Sequence, residues 1–147
     1  MTDDFARLFD RDLAKLLTEL ESFSTEALLW AKPSGVSNSA GNLALHLIGN
    51  VEHYIGAGLG GTAFKRDRAA EFGSTAVALR ELLERVAATR ATLHDVLSAL
   101  TTAQLEADYP EPVQGQMLTT RYFLLHLYGH FSYHLGQINY VRRVLHG

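Results

Sequence analysis

Cysteine is absent from the chain. That absence excludes disulfides, a thiolate zinc ribbon, an iron–sulfur cluster and any cysteine nucleophile belonging to the protein itself. A bound metal would have to sit on histidine or carboxylate. Long apolar runs are absent as well, since none approaches the roughly 18 residues of a membrane span. Nor is there an excess of charge of either sign: 13 Lys and Arg stand against 16 Asp and Glu, a formal charge of −3 with a pI near 6.1. Such a balance offers no electrostatic reason to expect nucleic acid or an anionic membrane as partner. The opening residues Met1, Thr2, Asp3 and Asp4 are acidic and precede no apolar stretch with a small-residue cleavage site, so no secretory signal is read and a cytoplasmic address is the expectation.

What is present is the composition of an ordinary globular protein, 47% apolar and 20% charged over 147 residues. That length fits one domain, residues 1–147, able to bury roughly two-thirds of the surface its unfolded chain exposes. Phe5, Leu8, Phe9, Leu13, Leu16, Leu17 and Leu20 recur at helical spacing and predict a first helix over about 3–21, with Thr2 as its cap. Pro33 and Gly35 force a connection that carries Trp30. Ser37 or Ser39 then caps a second helix through Leu43, Leu47, Ile48, Val51 and Ile55, ending at the glycine cluster Gly56, Gly58, Gly60 and Gly61. The segment Thr62 to Phe72 reads as charged and irregular. Ser74 opens a third amphipathic run, predicted as a helix over about 75–99. Thr101 or Thr102 restarts a short helical segment, and Pro110, Pro112 and Gly115 mark the long connection to a fourth helix over about 119–145. No alternating β pattern, repeat or low-complexity tract occurs. The expected fold is all-α, a four-helix bundle, in which ligand sites are built from side chains on facing helices.

Of the 7 histidines, His46 and His53 fall on the second helix and His126, His130 and His134 on the fourth. Residues four apart on a helix have Cβ atoms about 5–6 Å apart, near enough for two imidazoles to reach one ion. The pair His130 and His134 meets that requirement, and so does His126 with His130. His126 and His134 are too far apart along the helix, about 12 Å, to share an ion easily. Zinc takes nitrogen ligands in tetrahedral array, so a third ligand from another helix, with His46 well placed, would leave a fourth position open. The plainer reading, a histidine satisfied by backbone or carboxylate hydrogen bonds, is taken for His94 and His146. His53, two turns beyond His46 on nearly the same face, is read as structural or as lining a pocket mouth. A zincin-type protease needs glutamate directly after the first histidine, where Phe131 stands, and the glutamates of a di-iron carboxylate bundle are missing.

The stretches NSAGNLALHLIGNVEHYI, containing His46, and LLHLYGHFSYHLGQINYVRR, containing His130 and His134, resemble the two signature helices of the DinB/YfiT-like superfamily. The resemblance covers most of the chain. It implies a four-helix bundle with a divalent metal ion, zinc or nickel, on His46, His130 and His134, with His126 outside the ligand set, and a homodimer. Gln137 and Asn50, about one turn from the ligands, can orient imidazoles through hydrogen bonds or serve as surface polar residues. Some relatives are transferases or isomerases that use a low-molecular-weight thiol, which implies a small-molecule substrate or thiol as partner. The chemistry is coherent, because a metal stabilises a thiolate near neutral pH without any cysteine in the chain; an open position equally suits an activated water. The rival expectation is a non-catalytic bundle that binds metal or a small ligand, with a stress-related role. Arg121, Arg142 and Arg143 can hold an anionic substrate, although arginines near helix ends more often serve the helix dipole. Tyr128 and Tyr133 are read as packing residues.

Overall fold

The computed structural model describes residues 2–147, with side chains from Asp3 onward; the cap expected at Thr2 rests on a side chain outside that range. Phe5, Phe9, Leu13, Leu16 and Leu20, spaced four, four, three and four residues apart, form the buried stripe of α1 (Thr2–Glu21). A short α2 (Glu26–Leu29) follows, capped by Thr25. The next long helix, α3 (Ala40–Val51), is buried on every side, as befits a helix enclosed by its neighbours. Ser39 settles the alternative at its start: its hydroxyl accepts from the Asn42 amide at 3.1 Å.

Beyond Val51 the helix widens into a π-helical turn, Glu52–Ala57, before the glycines end it. The Tyr109 hydroxyl donates to the Tyr54 carbonyl in that turn at 2.8 Å, and Gly58 has no room for a Cβ because the Tyr109 hydroxyl occupies the place. At 12 residues α3 is shorter than α1, which has 20.

Two differences from the sequence reading matter for the site. The irregular stretch expected over 62–72 contains a helix, α4 (Arg68–Gly73), capped by Asp67, whose carboxylate accepts from the Ala70 amide at 3.0 Å. The third long helix, α5 (Leu79–Ala99), begins later than Ser74. The Asn42 side-chain amide explains both: it donates to the Glu71 and Ser74 carbonyls at 3.0 and 2.6 Å, pinning the end of α4 on α3 and holding Ser74 extended. The first orphan amide of α5, Leu79, is then capped from across the molecule by the Glu26 carboxylate at 2.8 Å.

Thr101 and Gln104 form a capping box on the short α6 (Thr102–Glu106), and Thr119 caps α7 (Thr120–His146), which is about 40 Å long by its rise per residue. Among the described residues there is no strand, only isolated bridges between Asp108 and Thr119 and between Val113 and Gln116. α1 packs against α5 and α7, and α3 against α4 and α7. Phe9 lies edge-on to Phe131 and Tyr128 in the shared core. Among the described residues no helix is long and apolar enough to cross a membrane.

Candidate metal centre

His46 projects from the middle of buried α3, and His130 and His134 project one turn apart from α7, which packs on it. The structure brings these three imidazoles together. The Nε2 atoms of His46 and His134 each lie 3.1 Å from Nε2 of His130. A tetrahedral site with nitrogen at about 2.05 Å from zinc spaces its ligand atoms about 3.3 Å apart, close to both spacings about His130, and the three ligand atoms all lie within 4.8 Å of one another.

The outer nitrogens decide the tautomers. Nδ1 of His46 lies 2.9 Å from Glu71 Oε1, and a carboxylate only accepts, so Nδ1 carries the proton and Nε2 presents a lone pair. Nδ1 of His134 likewise donates to Gln137 Oε1 at 2.7 Å. Of the two residues considered for orienting imidazoles, Gln137 does so directly. Asn50 lines the same cavity with its Oδ1 buried and unpartnered, and Nδ1 of His130 is buried and unpartnered too. Two lone pairs thus converge on Nε2 of a third ring, whose single proton can satisfy only one of them well, an arrangement that a cation would satisfy better. The donor set fits a divalent metal ion.

Glu71 is the centre of a wider network. Arg66 donates to it from both Nε and Nη2, at 2.8 and 2.9 Å, a bidentate pair with the Arg66 side chain 12% exposed and that of Glu71 6%. Burial alone would raise the Glu71 pKa, but Arg66 and then His46 outweigh it and hold the carboxyl below its ordinary 4.5. Burial pushes His46 below the usual imidazole value. Burial also lowers His130, to about 4, helped by the neighbouring His134 and His46. The folded metal-free protein therefore binds fewer protons than its unfolded chain below the ordinary histidine value of 6.5. Its stability is expected to fall as pH drops from 6.5 toward about 4, with Glu71 adding a loss at the acid end; urea midpoints of chelator-treated protein along that range check the sign.

The remaining histidines stay outside the cluster. His126 is exposed and stacks on Phe123, although it lines the same cavity. His53 sits edge-on to Tyr54. His94 is exposed, and His146 is structural: its Nε2 accepts from the Ser24 amide at 3.1 Å and its Nδ1 donates to the Arg142 carbonyl at 2.7 Å. The three arginines considered for anion binding are engaged elsewhere, Arg121 with Glu106, Arg142 with Glu19 at 2.6 Å and Arg143 over the Tyr140 ring. Tyr128 packs on Phe9 as expected, whereas Tyr133 is largely exposed with its edge on His134.

Residues 8–138 match the family model of the DinB superfamily. The chain belongs to the DinB superfamily. No curated protein matches it. The DinB assignment accounts for the helical bundle and is compatible with metal binding at the three-histidine cluster. Two residues of this DinB chain that sequence reasoning passed over, Arg66 and Glu71, lie in the charged stretch before α5. The trace they left is Gly49, one turn after His46 in an otherwise well-filled helix: a Cβ there would collide with the Glu71 carboxylate. A glycine inside a helical pattern commonly has such a packing reason.

Proposed function

We propose that the chain holds one divalent metal ion, zinc or nickel, on Nε2 of His46, His130 and His134, and acts as a thiol-dependent, transferase-like enzyme. The observation that carries the reading is the convergence of three ring nitrogens, His130 3.1 Å from each of the others, at the wall of a cavity of about 380 Å³. A site that opens on a ligand-sized space leaves a coordination position for substrate, as catalytic rather than structural zinc sites do. A metal ion bound there would lower the pKa of an incoming low-molecular-weight thiol or water into the neutral range. The chain's own contribution is positioning. Glu71 fixes the His46 ring, Gln137 fixes the His134 ring, and Arg66 keeps Glu71 ionised in a buried place. Phe72, Phe123 and Leu127 give the cavity apolar wall beside the three histidines. A cytoplasmic setting suits this chemistry, since small thiols are kept reduced there.

The test is metal loading followed by thiol addition. Protein purified without chelator is expected to carry about one zinc or nickel ion per chain, and the cobalt-substituted form to change its visible spectrum when a small thiol is added. Absence of stoichiometric metal after loading would remove the reading. Tight metal with no spectral response to thiol would instead favour the non-catalytic bundle.

A homodimer belongs to the same proposal, through the outer face of α7. Tyr122, Leu125, Tyr133, Tyr140 and Val144 are exposed at three- to eight-residue intervals along one face, with exposed Gly129 and Gly136 between them. The stripe is about 33 Å long. Nothing lies within 4 Å of where a Cβ would stand on either glycine, so the tyrosines of a second, antiparallel copy have hollows to enter. Sedimentation is expected to show a dimer that Tyr140→Glu converts to monomer; a monomeric parent would rule out this face.

A further inference from the structure

The cavity that opens on the three imidazoles has an unbalanced lining: Arg66 and Arg68 contribute to it, and no aspartate or glutamate does. Arg66 is already neutralised by its two bonds to Glu71. Arg68 is exposed and has no carboxylate partner among the described residues. Its guanidinium rests 5.2 Å from the centre of the Phe72 ring, which in turn lies 4.8 Å from the His46 ring. Those contacts keep a cation with no carboxylate partner within about 10 Å of the His46 ring, and the aromatic face limits its motion.

A second feature stands at the same wall. Gln114 has φ of 51°, the one described non-glycine residue in the left-handed region. With Gly115, at φ 78°, it forms a two-residue turn closed by backbone bonds of 2.8 and 3.0 Å between Val113 and Gln116. Turns of this hand favour asparagine, aspartate or glycine at the first position, so a glutamine there is strained. Backbone strain of this kind persists where the surrounding structure over-determines it, and it collects at ligand sites. Gln114 brings an amide, able to donate, to a lining that already carries an unpaired arginine.

We infer that Arg68 and Gln114 hold the carboxylate of a small acidic ligand whose other end reaches the three imidazoles. The substrate class is then a small thiol acid rather than a neutral thiol; the inference rests on the metal reading given above and deepens it. The cavity volume of about 380 Å³ suits a molecule of that size. Arginine is the side chain best matched to a carboxylate, through paired N–H donors.

The test uses cobalt-loaded protein titrated with 4-mercaptobutanoate and with 4-mercaptobutan-1-ol, thiols of equal length that differ in the terminal group. Binding is followed by the visible spectrum. The acid is expected to bind at least about tenfold more tightly, and Arg68→Gln to remove most of that preference while leaving the alcohol within about twofold of its parent value. Gln114→Gly should remove a smaller part, and it relieves the turn rather than threatening the fold. Equal affinities in the parent, or a preference that survives both substitutions, would overturn the inference and leave the metal reading standing. Failure to take up cobalt would overturn both.

Discussion

His130→Ala is expected to abolish stoichiometric zinc or nickel binding while leaving the metal-free protein about as stable as its parent, or more so. The two halves have one physical origin. In the absence of a cation, Nε2 of His130 faces two other ring nitrogens at 3.1 Å, its Nδ1 is buried without a partner, and burial lowers its pKa to about 4. The crowded and unpartnered nitrogens are costs that the folded state bears at any pH, and the lowered pKa adds a cost only below about pH 6.5. Removing the ring relieves an unsatisfied polar group, about 1–3 kcal/mol, against a packing loss of similar size. The net effect should lie within about 1 kcal/mol of zero.

With metal present the balance inverts. Losing one of three ligands should weaken binding on the order of a thousandfold, and with it the linked stabilisation, about 2.7 kcal/mol when free metal is a hundred times its Kd. Metal analysis together with denaturation in chelator and in excess zinc separates the two effects. A variant that keeps its metal, or that loses several kcal/mol in chelator, would mark His130 as an ordinary packed histidine.

Glu71→Ala is expected to destabilise the protein by about 3 kcal/mol and, independently, to weaken metal binding by about 10- to 100-fold. The first effect follows from what is left behind. Arg66, with its side chain 12% exposed, loses both of its charge-assisted bonds and remains a nearly buried cation with no carboxylate. The second follows from Nδ1 of His46, which loses the acceptor that holds its proton and its ring orientation. Glu71→Gln separates them: an amide oxygen can still accept from Nδ1, so metal affinity should largely survive while the ion pair does not. Urea denaturation reports the stability and competition with a coloured chelator reports the affinity. Equal affinity loss for Ala and Gln would show that the charge, rather than the hydrogen bond, tunes the site.

Much of the bundle was legible because each long helix carries its own period. Phe5 to Leu20 in α1 and Leu82 to Leu97 in α5 repeat at helical spacing, and the bonds that start helices at Ser39 and Thr101 are local side-chain-to-amide contacts between neighbours three residues apart. Elements whose cause is distant were not legible. α4 has only six residues, too few for a period, and it is held by Asn42, 29 and 32 residues away from the carbonyls it binds. The start of α5 was misplaced for the same reason, since its cap is the carboxylate of Glu26 and not a neighbouring serine.

The histidine cluster divides along the same line. Helical spacing alone put His130 and His134 on one face, and because side chains four apart always meet, no tertiary information was needed for that pair. The same spacing offered His126 equally well; only the packing of α3 on α7 favours His134 over it, by bringing His46 to that end of the pair. Which nitrogen of His46 faces inward was likewise decided in three dimensions, by Glu71 from α4, whereas His134 is oriented by Gln137 from the next turn of its own helix. Local periodicity is written in contacts along one helix, where the backbone supplies the distance. The shape of the site depends on contacts between helices, and for those the distance exists only once the core has formed.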